Sequence, residues 1–322
     1  MALTTTTIVT DQILAELLAE IALDAARPKN VCSLLANFDS IDGRPTGTLN
    51  MPRYDDIGPA QAIAENADVA STTLSNGTQA SFTPSEYAIM AEITFKAARE
   101  RVPGMANVAA LIQSGTVEQI LAAFANDANR LGEAMNERIE LECVDALTSL
   151  ANSVGTTTVD LSIANLEEAL YTFATLEVGN INDDLALVLA PRQVQDLRAA
   201  VTSSSNSAAV FSTDIQSITS YRPDNSMNGL IGAFMGVPVY QLSQSVVNTA
   251  NGGADVEGAL IQVGRGSAVN GQRGSVCIVE GSALAMTVDH DMSKRSFELQ
   301  ATYEFDAGLR ATDMGVLIVT DA

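Results

Sequence analysis

The stretch Thr116–Ala151, TVEQILAAFANDANRLGEAMNERIELECVDALTSLA, decides how the rest of the chain is read. It holds no proline and a single glycine, Gly132. Apolar residues recur at Val117, Ile120, Leu121, Phe124, Ala128, Leu131, Met135, Ile139, Cys143, Val144, Leu147 and Leu150. Steps of three and four keep these side chains on one face of an α-helix. Thr116 with Gln119 makes a capping box at the start. Asn152, Ser153 and Gly155 are expected to stop the helix. At 1.5 Å per residue the rod would be about 54 Å long, far beyond the typical 11–12 residues. The spacing is not a strict heptad and its flanks mix both charges, so a long core helix is preferred to a coiled coil.

Upstream, Thr10–Ala26 reads as an amphipathic helix whose apolar face is Ile13, Leu14, Leu17, Leu18, Ile21 and Ala22. An extended arm follows, punctuated by Pro28, Pro45, Pro52 and Pro59. Asn76-Gly77 then marks a hairpin turn, because both residues tolerate positive φ. Asn76-Gly77-Thr78 also matches a glycosylation sequon, but the turn reading suits a chain whose start, MALTTTTIVTDQ, lacks the basic and apolar runs of a secretion signal. Beyond the turn, Tyr87, Ile89, Ala91, Ile93 and Phe95 alternate with Ala88, Met90, Glu92, Thr94 and Lys96, the period of a strand. The tip, Ala67–Ser81, is polar, so a hairpin this long needs another surface to lie on.

Downstream, Ser162–Val178 is expected to be helical, with Leu166, Leu170, Phe173 and Leu176 on one face. Leu185–Ala190 reads as a buried strand, and Pro191 opens a helix where its missing N–H costs nothing. Such a strand-to-helix unit belongs to an α/β layer. Thr202–Met227 is serine-rich and reads as a surface loop. Strands are expected at Val237–Leu242, Ala259–Val263, Ser275–Val279, Ala283–Asp289, Arg295–Phe305 and Gly315–Thr320, with turns at Gly252-Gly253 and Asn270-Gly271.

Composition narrows the function. Of 322 residues, 47% are hydrophobic and 17% charged, the balance of a folded protein. The net charge is −22 and the only lysines are Lys29, Lys96 and Lys294. A protein that grips nucleic acid by its phosphates needs the opposite sign. Aromatics are 5%, too few for base-stacking platforms. No run approaches 18 apolar residues, so no membrane span is expected. Cys32, Cys143 and Cys277 have no metal-ligand spacing and read as reduced thiols in a cytoplasmic setting.

Catalytic signatures are sparse. His290 is the only histidine, in Val288-Asp289-His290-Asp291. An enzyme would use Asp289 or Asp291 to orient it as a general base; the preferred reading is a surface histidine among carboxylates. No nucleophile elbow or phosphate loop occurs, and Gly264-Arg265-Gly266 lacks the third glycine of a dinucleotide fingerprint. Asp55-Asp56 and Asp183-Asp184 are adjacent pairs that read as solvated turns rather than metal ligands.

The order of elements resembles the major capsid proteins of tailed bacteriophages, the HK97 fold. Ala64-Glu65-Asn66-Ala67-Asp68 leading to Phe82-Thr83-Pro84 resembles the two legs of that family's E-loop. Ala186-Leu187-Val188-Leu189-Ala190-Pro191-Arg192 with Leu197 is similar to a strand-proline-helix of its A-domain, as is Gly236-Val237-Pro238-Val239 within Gly232–Tyr240. Ala311-Thr312-Asp313-Met314-Gly315-Val316-Leu317 is similar to its closing P-domain strand. The resemblance implies an α+β fold with an N-terminal helix and arm over 1–57, the E-loop hairpin over 58–100, and a P-domain part over 101–158 with the spine helix at 116–151. It further implies an A-domain over 159–289 and closing P-domain strands over 290–322.

The implied function is assembly of hexamers and pentamers into an icosahedral shell around double-stranded DNA, contacted without sequence preference. Implied partners are copies of the chain, a portal, a separate scaffolding protein (or none) and decoration proteins. No cofactor, catalytic residue, metal or membrane is implied. The implied location is the virion, with assembly in the host cytoplasm. Residues expected at assembly contacts are Glu65, Asn66, Asp68, Asn76, Gly77, Phe82, Tyr87, Glu133 and Arg138. Some relatives crosslink through a lysine, but no lysine lies between Asn66 and Ser81, and Lys96 at the hairpin base is a poor substitute. The alternatives are an encapsulin-like nanocompartment shell and, from another class, a cytoplasmic α/β enzyme built on His290.

Overall fold

The computed structural model describes residues 18–22, 31–41, 47–51, 79–101, 117–176, 185–203, 211–212, 229–243, 256–263, 274–291 and 293–321. In chain order the elements begin with α1 (18–22), α2 (Cys32–Leu35), β1 (Asn37–Ser40), β2 (Leu49–Met51), β3 (Ala80–Phe82) and β4 (Ser85–Thr94). Next come α3 (Phe95–Arg101), the spine helix α4 (Val117–Leu147), β5 (Asn152–Gly155), α5 (Ile163–Thr175), β6 (Leu185–Leu189) and α6 (Pro191–Ser203). The remainder are strands: β7 (Phe211–Ser212), β8 (Leu230–Phe234), β9 (Val237–Gln241), β10 (Val256–Gln262), β11 (Val276–Asp291), β12 (Ser296–Leu309) and β13 (Gly315–Thr320).

The spine helix lies on a four-stranded sheet ordered β1-β11-β12-β4. Strand β12 alternates cleanly: Phe297, Leu299, Ala301, Tyr303 and Phe305 are buried, while Glu298, Gln300, Thr302 and Glu304 are only partly covered. That alternation turns one sheet face toward the helix. Phe124, Ala128, Leu131, Met135, Cys143, Val144 and Leu147 of α4 are buried against it. Phe124 meets Phe297 edge-on at 5.2 Å, and Phe95 closes on the same ring at 5.0 Å. The expected strands 275–279 and 283–289 form one strand, β11, with register shifts around Ser282. The two short apolar runs are therefore one ladder with a bulge between them.

The helix ends at Leu147, earlier than expected. Thr148, Ser149 and Leu150 donate to carbonyls three residues back, which tightens the last turn. Ala151 donates to the Thr312 carbonyl, and Asn152–Gly155 leave as a strand parallel to β13. The residues read as a helix stop thus form β5, because a neighbouring edge was there to pair with. The capping residue Thr116 lies outside the described residues.

A second sheet has seven strands in the order β5-β13-β10-β6-β9-β8-β7. The expected unit Leu185–Ala190 followed by a Pro191 helix is present as β6 and α6, with β6 buried throughout. Helices α5 and α6 cover this sheet through Leu166, Phe173, Val194 and Leu197. Ser162 caps α5 by accepting from the Asn165 N–H at 3.2 Å. Two expectations change here. Gly315–Thr320 pairs inside this sheet, between β5 and β10, rather than closing the layer under the spine helix. Its run is buried on both faces apart from Val319, which demands a central slot. Within the segment read as a surface loop, Phe211–Ser212 pair with β8.

The arm is fastened to the first sheet. Strand β1 runs parallel to β11, pairing Asn37 with Cys277 and Ser40 with Glu280. Strands β2 and β3 pair antiparallel, Leu49 opposite Phe82 and Met51 opposite Ala80. The two ends of the segment between Met51 and Ala80 therefore stand side by side. The expected turn at Asn76-Gly77, and those at Gly252-Gly253 and Asn270-Gly271, lie outside the described residues.

Candidate functional site

Three local constructions fasten the arm, β3 and β4 to the spine helix and its sheet, and they form the candidate site. The first is at Glu140. This residue occupies a buried position of the helix stripe and is 3% exposed. Its Oε1 accepts from the N–H groups of Val31 at 3.0 Å and Cys32 at 2.7 Å, and its Oε2 from Ser33 at 3.1 Å. The first turn of α2 presents donors that no residue within the helix can satisfy, and the carboxylate takes three of them. Burial pushes the Glu140 carboxyl upward, while the three N–H bonds pull the other way. The arm is therefore held by a buried carboxylate contributed from a residue more than a hundred positions away.

The second links β4 to the spine helix. The Tyr87 hydroxyl donates to Glu142 Oε1 at 3.1 Å, and the Arg138 guanidinium stacks over the Tyr87 ring at 4.9 Å. Arg138 also pairs with Glu142 one turn along. Burial raises the Tyr87 hydroxyl above its ordinary value. Tyr87 packs on Phe305 at 4.7 Å, so the cluster rests on β12.

The third fixes the feet of the excursion. Thr83 N–H donates to Asp306 Oδ2 at 2.7 Å. Phe82 is 3% exposed, packed with Ile41, Leu49, Met51, Cys277 and Val279. A Cβ at Gly308 would press on the Phe82 ring at 3.0 Å, so the glycine makes room for it. Burial also raises the carboxyl of Asp306, against the pull of the Thr83 N–H.

Of the expected assembly residues, Tyr87 and Arg138 come together, Phe82 is buried within its own chain, and Glu133 is exposed on the spine helix. Glu65, Asn66, Asp68, Asn76 and Gly77 lie outside the described residues. Glu140, Glu142 and Asp306 were missed. Glu140 had a signal: it sits four residues before Val144 and three before Cys143, a polar residue in step with the stripe. Gly132 had one too, being the lone glycine of the rod; a Cβ there would collide with the Ala22 carbonyl of α1.

The outward face of the four-stranded sheet is acidic. Glu92, Glu298 and Asp289 stand in one cross-strand row, and Lys294 Nζ lies 3.1 Å from Glu298 Oε1. At the hairpin joining β11 to β12, Asp291 Oδ1 accepts from Ser293 N–H at 2.7 Å, Ser293 hydroxyl at 2.6 Å and Lys294 N–H at 3.2 Å. These bonds hold its carboxyl below the ordinary value. Asp291 is thus engaged in the turn, and the His290 side chain lies outside the described residues. Among the described residues no three His, Cys, Asp or Glu side chains converge as metal ligands, and no helix is long and apolar enough to cross a membrane.

A helix laid on a four-stranded sheet, a seven-stranded α/β layer and an arm fastened to the first sheet make up the fold. Comparison with solved structures identifies it as the HK97-like capsid fold. The chain is similar to the capsid of Ralstonia phage GP4, at TM-score 0.63 and 10% identity over 92% of each chain. It is similar to the head structure of Helicobacter pylori bacteriophage KHP40, at TM-score 0.56 and 12% identity over 88% of this chain and 87% of that one. It is also similar to the SrpI encapsulin complex from Synechococcus elongatus PCC 7942, at TM-score 0.54 and 14% identity over 89% and 85%. No protein-family model and no curated protein matches the sequence.

Proposed function

We propose that this chain is the major head protein of a tailed bacteriophage, assembling as hexamers and pentamers into an icosahedral shell that encloses double-stranded DNA. The observation that carries the reading is the fold likeness to the Ralstonia phage GP4 capsid over 92% of both chains. The residues support it. The polar tip Ala67–Ser81 has little with which to build a core of its own, so a neighbouring copy is the natural surface for it. The net charge of −22 and the acidic row Glu92–Glu298–Asp289 suit a wall that contains DNA without gripping it. In this reading the seven-stranded layer carries the contacts at the capsomer centre, and the spine helix with its sheet lies at the rim. Glu65, Asn66, Asp68, Asn76, Gly77, Glu133 and Arg138 are the residues proposed to meet other copies. A portal, a scaffolding protein and decoration proteins are the further partners, assembly takes place in the host cytoplasm, and the shell works without enzymatic chemistry.

The second reading is a nanocompartment shell, favoured by the likeness to the Synechococcus encapsulin. Electron microscopy of the purified protein, followed by nuclease treatment and analysis of the contents, separates the two. Closed particles that protect DNA are the expected result. Particles carrying a cargo protein and no DNA would favour the second reading, and a small discrete oligomer would overturn both.

A further inference from the structure

Three cysteines are present, all buried and all free thiols. Two of them meet. Cys32 opens α2 in the arm, and its N–H is held by Glu140. Cys143 stands three residues beyond Glu140 on the same face of the spine helix, so it points at the same piece of arm. Both are 0% exposed and belong to one apolar cluster. The neighbouring Cys32 thiol and burial together hold the Cys143 thiol well above its ordinary value. Cys277 sits apart, in the cluster of Ile41, Leu49, Met51, Phe82 and Val279.

We propose that Cys32 and Cys143 are a disulfide modification site, at which a two-electron thiol oxidant covalently locks the arm to the spine helix. With a diazene dicarboxamide as oxidant, the Cys32 sulfur adds to one nitrogen of the N=N bond. The Cys143 sulfur then attacks the Cys32 sulfur, the S–N bond breaks and the S–S bond forms. Both thiol protons and both electrons end on the nitrogens, giving the hydrazine. Because both sulfurs are covered, the reaction proceeds through transient lifting of the arm, and reclosure brings the activated Cys32 onto Cys143. The closed loop spans roughly a hundred residues, including the whole segment between Met51 and Ala80, so the constraint on the unfolded chain is large. Reduced, the arm is held only by hydrogen bonds and packing; oxidised, it cannot leave. The inference does not depend on the shell reading.

The test oxidises native full-length protein with diamide, unfolds it, alkylates the remaining thiols and digests with trypsin without reductant. Because Arg44 precedes Pro45, the expected species is residues 30–53 joined to 139–192, with Cys277 recovered alkylated on 274–294. The oxidised chain should run as a monomer on a non-reducing gel. It should also unfold at a higher urea midpoint, a shift that reductant reverses and Cys143→Ser abolishes. A link involving 274–294, a disulfide-bonded dimer, no joined species, or a link that leaves the midpoint unchanged would each overturn the proposal.

Discussion

Replacing Glu140 is the most informative perturbation of this chain. In Glu140→Ala the N–H groups of Val31, Cys32 and Ser33 lose their acceptor, in a place where those residues are 4%, 0% and 6% exposed. An orphaned buried donor costs about 1–3 kcal/mol, so three give a gross loss of about 3–9 kcal/mol. Removing the carboxylate also removes its own desolvation penalty, several kcal/mol for a buried ion. The net expectation is a loss of about 3–5 kcal/mol, the range seen when one partner of a buried charged interaction is deleted. Glu140→Gln keeps one carbonyl oxygen but turns an NH2 toward the remaining donor, and should lose about 1–2 kcal/mol.

The pH dependence has a defined sign. The folded carboxyl lies above its ordinary value of 4.5, so the folded state binds the proton more tightly than the unfolded chain. Ionisation therefore weighs against folding above the folded pKa. The wild type gains stability relative to Glu140→Gln as pH falls from there toward 4.5, with no further gain below it. Urea denaturation of unassembled subunits across that range, with hydrogen exchange at residues 31–36, measures both effects. Equal stability of wild type and Glu140→Ala, or a wild-type advantage over Gln that shrinks as pH falls, would refute the reasoning.

Other outcomes follow from the same structure. Gly132→Val should separate α1 from the spine, since its Cβ meets the Ala22 carbonyl; α1 amides should exchange faster while the sheet amides are unchanged. Gly258→Ala should destabilise the seven-stranded layer despite being a small change, because its Cβ would lie 2.8 Å from the Val188 carbonyl and also strike Gln193 Oε1; a raised melting temperature would contradict this. Arg138→Ala should change subunit stability by no more than about 1 kcal/mol, as its pair with Glu142 is partly exposed. Deleting 67–78, which spares β3, should leave a folded subunit with an unchanged circular dichroism profile but no closed particles under the microscope, in line with the proposed function.

The periodicity of residues 116–151 determined that a long helix exists and which face of it is buried, because a 3.6-residue period writes burial directly into the sequence. The alternation from Tyr87 determined a strand in the same way, although it ends at Thr94 and Phe95 and Lys96, read in step with it, open helix α3; the apolar run at Leu185 with Pro191 determined a strand followed by a helix. The order of those elements was enough to point to the fold. Tertiary structure alone decided where the strands went. Gly315–Thr320 reads the same in either sheet, and only the vacant slot between β5 and β10 assigns it. The end of the spine helix was likewise set by strand β13, more than 160 residues away, since no local residue makes Leu147 a better terminus than Ala151. Glu140 shows the same limit. Its place in the stripe is visible in the sequence, but a carboxylate there is stable only because three N–H groups of a distant turn converge on it, and such convergence is a property of the folded chain.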